Sequence, residues 1–232
     1  MGKTKILLVE DNARLGYMLK EYLELKGFDV SLAANGKEGL DTFLSQSFGL
    51  CILDVMMPGM DGYSLAKRIR ETDPAVPLIF LTAKSLKIDI LKAFDLGADD
   101  YIKKPVDEEE LVARIRAVLK RAGSSPEGTS SVIHLGKYRY HHKNQELIYG
   151  DEVKVLTNRE AELLFFLCQH LNELAPRQKI LKALWGKSDF FTRKSMDVFI
   201  SKLRKYLSKD ENVQIQNVHG SGFILKAGPA ED

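Results

Sequence analysis

Five polar side chains, Glu10, Asp11, Asp54, Thr82 and Lys104, stand where short runs of apolar residues stop. Glu10 and Asp11 follow "KILLV", Asp54 closes "GLCILD", Thr82 closes "VPLIFLT" and Lys104 closes "DYIKK". Three carboxylates brought into one crevice repel one another unless they share a cation. An all-oxygen set with few ligands suits Mg2+ completed by waters and phosphate oxygens. An aspartate can attack phosphorus to form an aspartyl phosphate, with a lysine and a hydroxyl stabilising the equatorial oxygens, and Lys104 and Thr82 are of the right types. A purely structural account would have Asp11 cap a helix, Asp54 open a turn and Lys104 sit in solvent. Each of those roles is ordinary alone, but such residues at successive strand ends are harder to obtain by accident.

The elements that must position these groups are legible as well. Residues 5–9, 28–33, 49–54, 76–82 and 100–104 read as strands. Between the first two, Leu15, Met18, Leu19, Tyr22 and Leu23 recur at helical spacing until Gly27 stops the run. Similar patterns cover 36–47, 62–71, 85–97 and 107–121. Five βα units in succession predict an α/β domain built on a parallel sheet covered on both faces. In such a sheet ligands bind beyond the carboxyl ends of the strands, where strand order reverses. For the flavodoxin-like order 2-1-3-4-5 that point lies between strands one and three, which would bring Glu10, Asp11 and Asp54 together.

Here the residues meet a known family. "LLVEDN", "ILDVMMPGMDGY", "FLTAK" and "GADDYIKKP", in that order, closely resemble the receiver domain of bacterial two-component response regulators over residues 5–121. The resemblance implies that Asp54 accepts phosphate from a sensor histidine kinase, and that Glu10, Asp11, Asp54 and the Met56 carbonyl hold Mg2+. It implies further that Thr82 and Tyr101 form a switch pair and that Lys104-Pro105 is a cis peptide aiming the lysine. A haloacid-dehalogenase phosphatase would also place an aspartate after a strand, but that pattern wants a second acid two residues on, where this chain has Met56. The expectation is therefore a switch and not an enzyme.

The stretch 122–131, "AGSSPEGTSS", is small, polar and broken by proline and glycine, as in a flexible linker. Beyond it the expectation is an α+β domain over 132–232, with short strands in 132–155, helices near 157–171, 177–186 and 193–208, and a hairpin over 213–227. Charge is uneven: residues 1–121 carry 18 basic and 19 acidic side chains, whereas 176–209 alone carry 10 basic and 2 acidic. Wound as a helix, 193–208 puts Met196, Phe199, Ile200, Leu203 and Leu207 on one stripe. Lys194, Val198, Ser201, Lys202 and Lys205 lie opposite, with Asp197 and Arg204 at the margin. A valine amid lysines fits a helix in a major groove, where it can meet a thymine methyl. A solvated charged face would give the same lysines without the valine.

"LTNREAELLFFL", "LWG", "RKSMDVFISKLRKYL" and "NVHGSGF" resemble the winged helix-turn-helix effector domain of OmpR/PhoB-type regulators. The resemblance makes 193–208 the recognition helix and 213–227 the wing, and makes "WGKSDFFT" a contact for RNA polymerase. It places Asp197, Val198 and Lys202 against the bases of double-stranded DNA, and Arg193, Ser201 and Arg204 against phosphates, with Lys194, Lys205 and His219 in the same interface. The family often has arginine where this chain has Ser201 and Lys202, and at His219 in the wing. Those departures predict weaker phosphate anchoring and a wing whose charge depends on pH.

In the family, phosphorylated receivers pair as symmetric dimers. The matching residues here are Lys87, Asp99, Asp100, Glu110, Arg114 and Arg121, although Ile90 replaces the usual basic partner of Glu110. Pairing of Glu110 with Arg114 inside one helix is the simpler alternative. Cys51 and Cys168 lie in apolar runs and read as free thiols. No apolar run approaches the roughly 18 residues of a membrane span, and the amino-terminal residues lack a signal-peptide pattern, so a cytoplasmic protein is expected. The resulting expectation is a phosphorylation-switched, dimerising transcription regulator. Its rival is a receiver that dimerises without phosphate.

Overall fold

A computed structural model describes residues 2–83, 87–123, 132–186, 188 and 190–228. Most of the stretch read as a linker lies outside these residues, as do the side chains of Lys87 and Arg121. The chain divides into two units, Met1–Ser124 and Ser125–Asp232.

The first unit alternates strand and helix: β1 Lys5–Val9, α1 Ala13–Leu25, β2 Asp29–Ala33, α2 Gly36–Ser45, β3 Leu50–Asp54, α3 Gly62–Thr72, β4 Leu78–Thr82, α4 Lys87–Asp95, β5 Asp100–Lys103 and α5 Glu108–Gly123. The strands form a parallel sheet in the order β2-β1-β3-β4-β5, the flavodoxin-like arrangement. Every residue of β3 and β4 is buried, as expected for central strands covered on both faces. Ile6, Leu8, Ile52, Ile79 and Leu81 pack against Leu19 and Leu23 of α1 and Leu111 and Ile115 of α5. Register matters for the site: Val9 lies beside Leu53, Asp54 beside Leu81, and Thr82 beside Lys103. The chain thus leaves the sheet at neighbouring points.

Helix α1 is capped by Asn12, whose side chain accepts from the Leu15 amide at 3.0 Å. Asp11 is therefore released from the capping duty that a purely structural account would give it. The turn after β3 is fixed by Gly62, where a Cβ would lie 2.0 Å from the Asp54 carbonyl oxygen. A residue without a side chain is needed for α3 to start so close to the end of β3.

The second unit begins with an antiparallel sheet of β6 Ile133–Leu135, β7 Tyr138–His141, β8 Glu146–Tyr149 and β9 Glu152–Val155. Helix α6 spans Asn158–Cys168, α7 Arg177–Trp185 and α8 Phe190–Tyr206, and the hairpin is β11 Gln214–Val218 with β12 Gly222–Lys226. Helix α8 starts three residues before the expected 193. The two-residue strand β10, Ala175–Pro176, was not anticipated, because two residues are too few to show an alternation. It pairs with β12, where a Cβ on Gly222 would meet the Ala175 carbonyl at 2.1 Å. Met196, Phe199, Ile200, Leu203 and Leu207 are all buried, so the apolar stripe of α8 is core.

Candidate functional site

At the carboxyl edge of the first sheet Glu10, Asp11, Asp54 and Lys104 converge, and Thr82 ends the neighbouring strand β4. Glu10 and Asp54 are buried and Asp11 is exposed; one ligand atom from each lies within 4.8 Å of the others. Into this crevice Lys104 extends its ammonium, 2.6 Å from Asp54 Oδ2 and 2.7 and 2.8 Å from the two oxygens of Glu10. Its backbone is held by donation from the Lys104 amide to the Thr82 carbonyl at 2.8 Å, beside a cis Lys104-Pro105 bond. The other oxygen of Asp54, Oδ1, accepts from the Met56 amide at 3.0 Å.

The electrostatics follow from burial. Desolvation raises the Glu10 carboxyl above its ordinary value against the pull of Lys104, with the Asp54 charge adding to the rise. Desolvation lowers Lys104, but its bonds to Asp54 and Glu10 outweigh that and hold it above its ordinary value. Both shifts describe carboxylates crowded beyond what solvent would tolerate and neutralised by one ammonium. Such a donor set, hard oxygens within a few ångströms of one another, fits a divalent cation of the Mg2+ kind.

Thr82 is fully buried, and Tyr101 on β5 shares hydrogen bonds with Thr82 and with Tyr63 of α3. Burial pushes the Tyr101 phenol up to about 12, with the Asp89 charge contributing. Tyr63 was missed in the sequence. Its ring packs edge-on against Phe80 at 5.2 Å and its hydroxyl donates to the Asp89 carbonyl at 3.0 Å, linking α3, α4 and β4.

In the second unit Arg193, Lys194, Ser201, Arg204, Lys205 and His219 are exposed, while Asp197, Val198 and Lys202 are half-buried. Two of the expected contacts are held differently from the sequence expectation. The Lys202 ammonium turns inward to Glu160 Oε1 at 3.2 Å, because the buried Glu160 carboxylate needs a cation. Lys202 is thus a partner of the core in this conformation, not a lysine on the wet face. Arg204 donates through Nε to the Ile215 carbonyl at 2.9 Å, tying α8 to the wing. Glu160 could have been found from "TNRE": it closes a capping box with Thr157 at the start of α6.

Comparison with known proteins decides the identity. A family described as response regulator receiver domain matches residues 6–116, and one described as transcriptional regulatory protein, C terminal, matches 151–225. Transcriptional regulatory protein RprY of Bacteroides fragilis is 45% identical over 223 residues, 96% of this chain and 94% of RprY. The chain is a response regulator of the OmpR/PhoB type. Among solved structures, a RitR mutant covers 98% of this chain and 100% of its own, at 26% identity and a TM-score of 0.75. DrrB of Thermotoga maritima, an OmpR/PhoB homologue, covers 97% and 100%, at 27% identity and a TM-score of 0.50.

As a response regulator it is a phosphorylation-activated transcription regulator of a two-component system. Its receiver implies a histidine kinase as partner and its effector domain implies DNA. The regulator's expected dimer face is changed by the structure at one point. Asp99 is turned inward at 1% exposure, accepting from the Leu78 amide at 2.9 Å and lying 3.8 Å from Arg70. Of the Asp99-Asp100 pair, then, Asp100 is the more accessible, half-buried at the start of β5, because the Leu78 amide and Arg70 hold Asp99 inward. Arg114 is bound within its own receiver, to Glu110 at 2.6 and 2.8 Å and to Asp100 at 2.9 and 3.2 Å. Ile90 is buried at 7% exposure, which explains why an apolar residue stands at the family's basic position. Among the described residues no helix is long and apolar enough to cross a membrane.

Proposed function

We propose that Asp54 is the phosphoacceptor of this regulator. The observation that carries the reading is Lys104, whose ammonium bridges Asp54 and Glu10 beside the exposed Asp11. Glu10, Asp11, Asp54 and the Met56 carbonyl would hold Mg2+, which when bound supplies charge neutralisation for an incoming phosphoryl group. The chain's own contribution is positional. Strand β3 fixes Asp54 with one oxygen held by the Met56 amide, leaving Oδ2 toward Lys104. Attack by Oδ2 forms an O–P bond as the P–N bond of the kinase phosphohistidine breaks, and Lys104 shifts from the carboxylate to the phosphoryl oxygens. Thr82, at the end of the adjacent strand, follows the phosphoryl group with its hydroxyl, and Tyr101 responds because the two are hydrogen-bonded.

The consequence for DNA is proposed on the same footing. Receivers pair through the surface of α4, β5 and α5, using Lys87, Asp100, Glu110, Arg114 and Arg121. The contacts Arg114 makes within its own chain are exchanged for contacts across the dimer. Two effector domains then gain effective concentration on adjacent half-sites. Helix α8 enters the major groove with Asp197 and Val198 toward bases. Arg193, Lys194, Ser201, Arg204, Lys205 and the wing's His219 lie toward the backbone, and Lys202 joins Asp197 and Val198 at the bases if released from Glu160. The segment 185–192 meets RNA polymerase, and the protein acts in the cytoplasm without enzymatic turnover. Intact mass after incubation with Mg2+ and a small phosphodonor tests the first step. One added phosphoryl group that requires both Mg2+ and Asp54 supports it; the same addition to Asp54→Asn refutes it.

A further inference from the structure

The elements that read DNA meet at a residue outside the expected contact set. Arg177 is the first residue of α7. Its guanidinium lies 2.9 Å from Asp197 Oδ1 on the recognition helix, and its Cζ sits 5.0 Å from the centroid of the Phe223 ring on the wing strand β12. Its amide donates to the Ser221 carbonyl at the wing turn at 2.9 Å. One residue therefore touches α8 through its side chain and the wing through both its side chain and its backbone.

Electrostatics say what this contact is for. A carboxylate in a DNA interface is repelled by phosphates, and it remains favourable only where it accepts a hydrogen bond, as from a cytosine amino group. The Asp197 side chain is 42% exposed, so without a partner it would sample several rotamers and hold none for a base edge. The arginine offers a planar fork with several donors, so it can bind one oxygen of Asp197 and leave the other to accept. The aromatic face of Phe223 fixes the plane of that fork. As a stabilising ion pair this contact is weak, since both groups are partly exposed. Its value is geometric.

We infer that Arg177 is a specificity-determining positioning residue: it orients the Asp197 carboxylate toward one base and locks the wing turn to the recognition helix. The inference rests on the reading of Asp197 as a base contact. The competing role is a direct phosphate contact, since Arg177, Lys182 and Arg193 line one open groove with Gly220 and Ser221.

The two roles separate by salt and sequence dependence. A duplex selected from a randomised library by the full-length wild-type protein serves as the probe, together with duplexes bearing each single base-pair change. Binding is measured over a range of salt concentrations. For Arg177→Gln the inference expects discrimination at one base pair to fall about fivefold or more, with the slope of log affinity against log salt unchanged. Arg177→Lys, which keeps the charge but loses the fork, is expected to lose the same discrimination. In an Asp197→Ala background, Arg177→Gln is expected to cost no further discrimination, because the two act as one unit. A uniform loss of affinity across all duplexes, with the slope reduced by about one and restored by Arg177→Lys, would overturn the inference in favour of a phosphate contact. If Asp197→Ala itself kept full discrimination at every base pair, the base-reading role of Asp197 would fail and the inference with it. Arg177→Gln failing where Asp197→Ala succeeds would remove the inference alone.

Discussion

Replacing Lys104 by methionine tests the electrostatic account of the acidic crevice. Methionine keeps an unbranched apolar stem, one atom shorter, and removes the charge. In the wild type one ammonium, 17% exposed, neutralises Glu10 and Asp54, whose side chains are 0% and 5% exposed. Removing one partner of a buried ion pair costs about 3–5 kcal/mol. This crevice opens to solvent beside Asp11, so about 2–3 kcal/mol is the better expectation after screening. For a unit of this size that corresponds to a fall of roughly 10 °C in the receiver's unfolding temperature. The distinctive part is the response to Mg2+. In Lys104→Met a divalent cation becomes the natural countercharge for three carboxylates, and at about a hundred times its dissociation constant it restores about 2.7 kcal/mol. Differential scanning calorimetry of wild type and variant, with and without Mg2+, reads both effects. A variant that melts at the wild-type temperature in Mg2+-free buffer refutes the reasoning. So does one that loses stability but regains none of it with Mg2+.

Other expectations are as direct. Gly62→Ala must push its Cβ against the Asp54 carbonyl, which lies 2.0 Å from the ideal position; phosphorylation of Asp54 is expected to fall at least tenfold, read by intact mass, while the effector unit melts normally. Tyr63→Phe keeps the ring against Phe80 and deletes the hydroxyl bonded to Asp89 and Tyr101; loss of one such bond is worth about fivefold in the switch equilibrium, measurable as a changed ratio of DNA affinities with and without beryllium fluoride. His142 stacks on Phe165 at 3.9 Å, and burial holds its imidazole below the ordinary 6.5. The unfolded chain therefore takes up a proton that the folded unit refuses. Stability is complete above pH 6.5 and is lost as pH falls through that value toward the folded one. Urea titrations at pH 7.5 and 5.5 should show a smaller loss in His142→Gln than in wild type.

The receiver was legible because its signals are local and repeated. Each strand is a short apolar run, and each chemical residue sits at the point where such a run stops, so Glu10, Asp54, Thr82 and Lys104 could be placed before any coordinates. What the sequence hid were consequences of packing between distant segments. Nothing in "DD" tells which of Asp99 and Asp100 faces inward; the register of β5 against β4 and the reach of Arg70 decide it. Lys202 looked like part of a wet basic face because helical spacing places it there. Glu160, forty-two residues earlier, turns it inward, a pairing that the spacing within one helix cannot contain. The tie between Arg177 and Asp197 is of the same kind. Strand β10 was missed for a simpler reason, since its pairing with β12 leaves no periodic mark on two residues.

The central claim is that the state of Asp54 sets the affinity of the effector domain for DNA. The direct test is the affinity of the full-length chain for a selected duplex carrying two half-sites, at fixed salt and saturating Mg2+, with and without beryllium fluoride. Wild type and Asp54→Asn are measured in parallel. Pairing two receivers raises the effective concentration of the second effector domain, so wild type should bind at least about tenfold more tightly with the phosphoryl mimic. Asp54→Asn should not respond. Equal affinities in all four measurements would contradict the account and leave a receiver that dimerises, or fails to, without regard to phosphate.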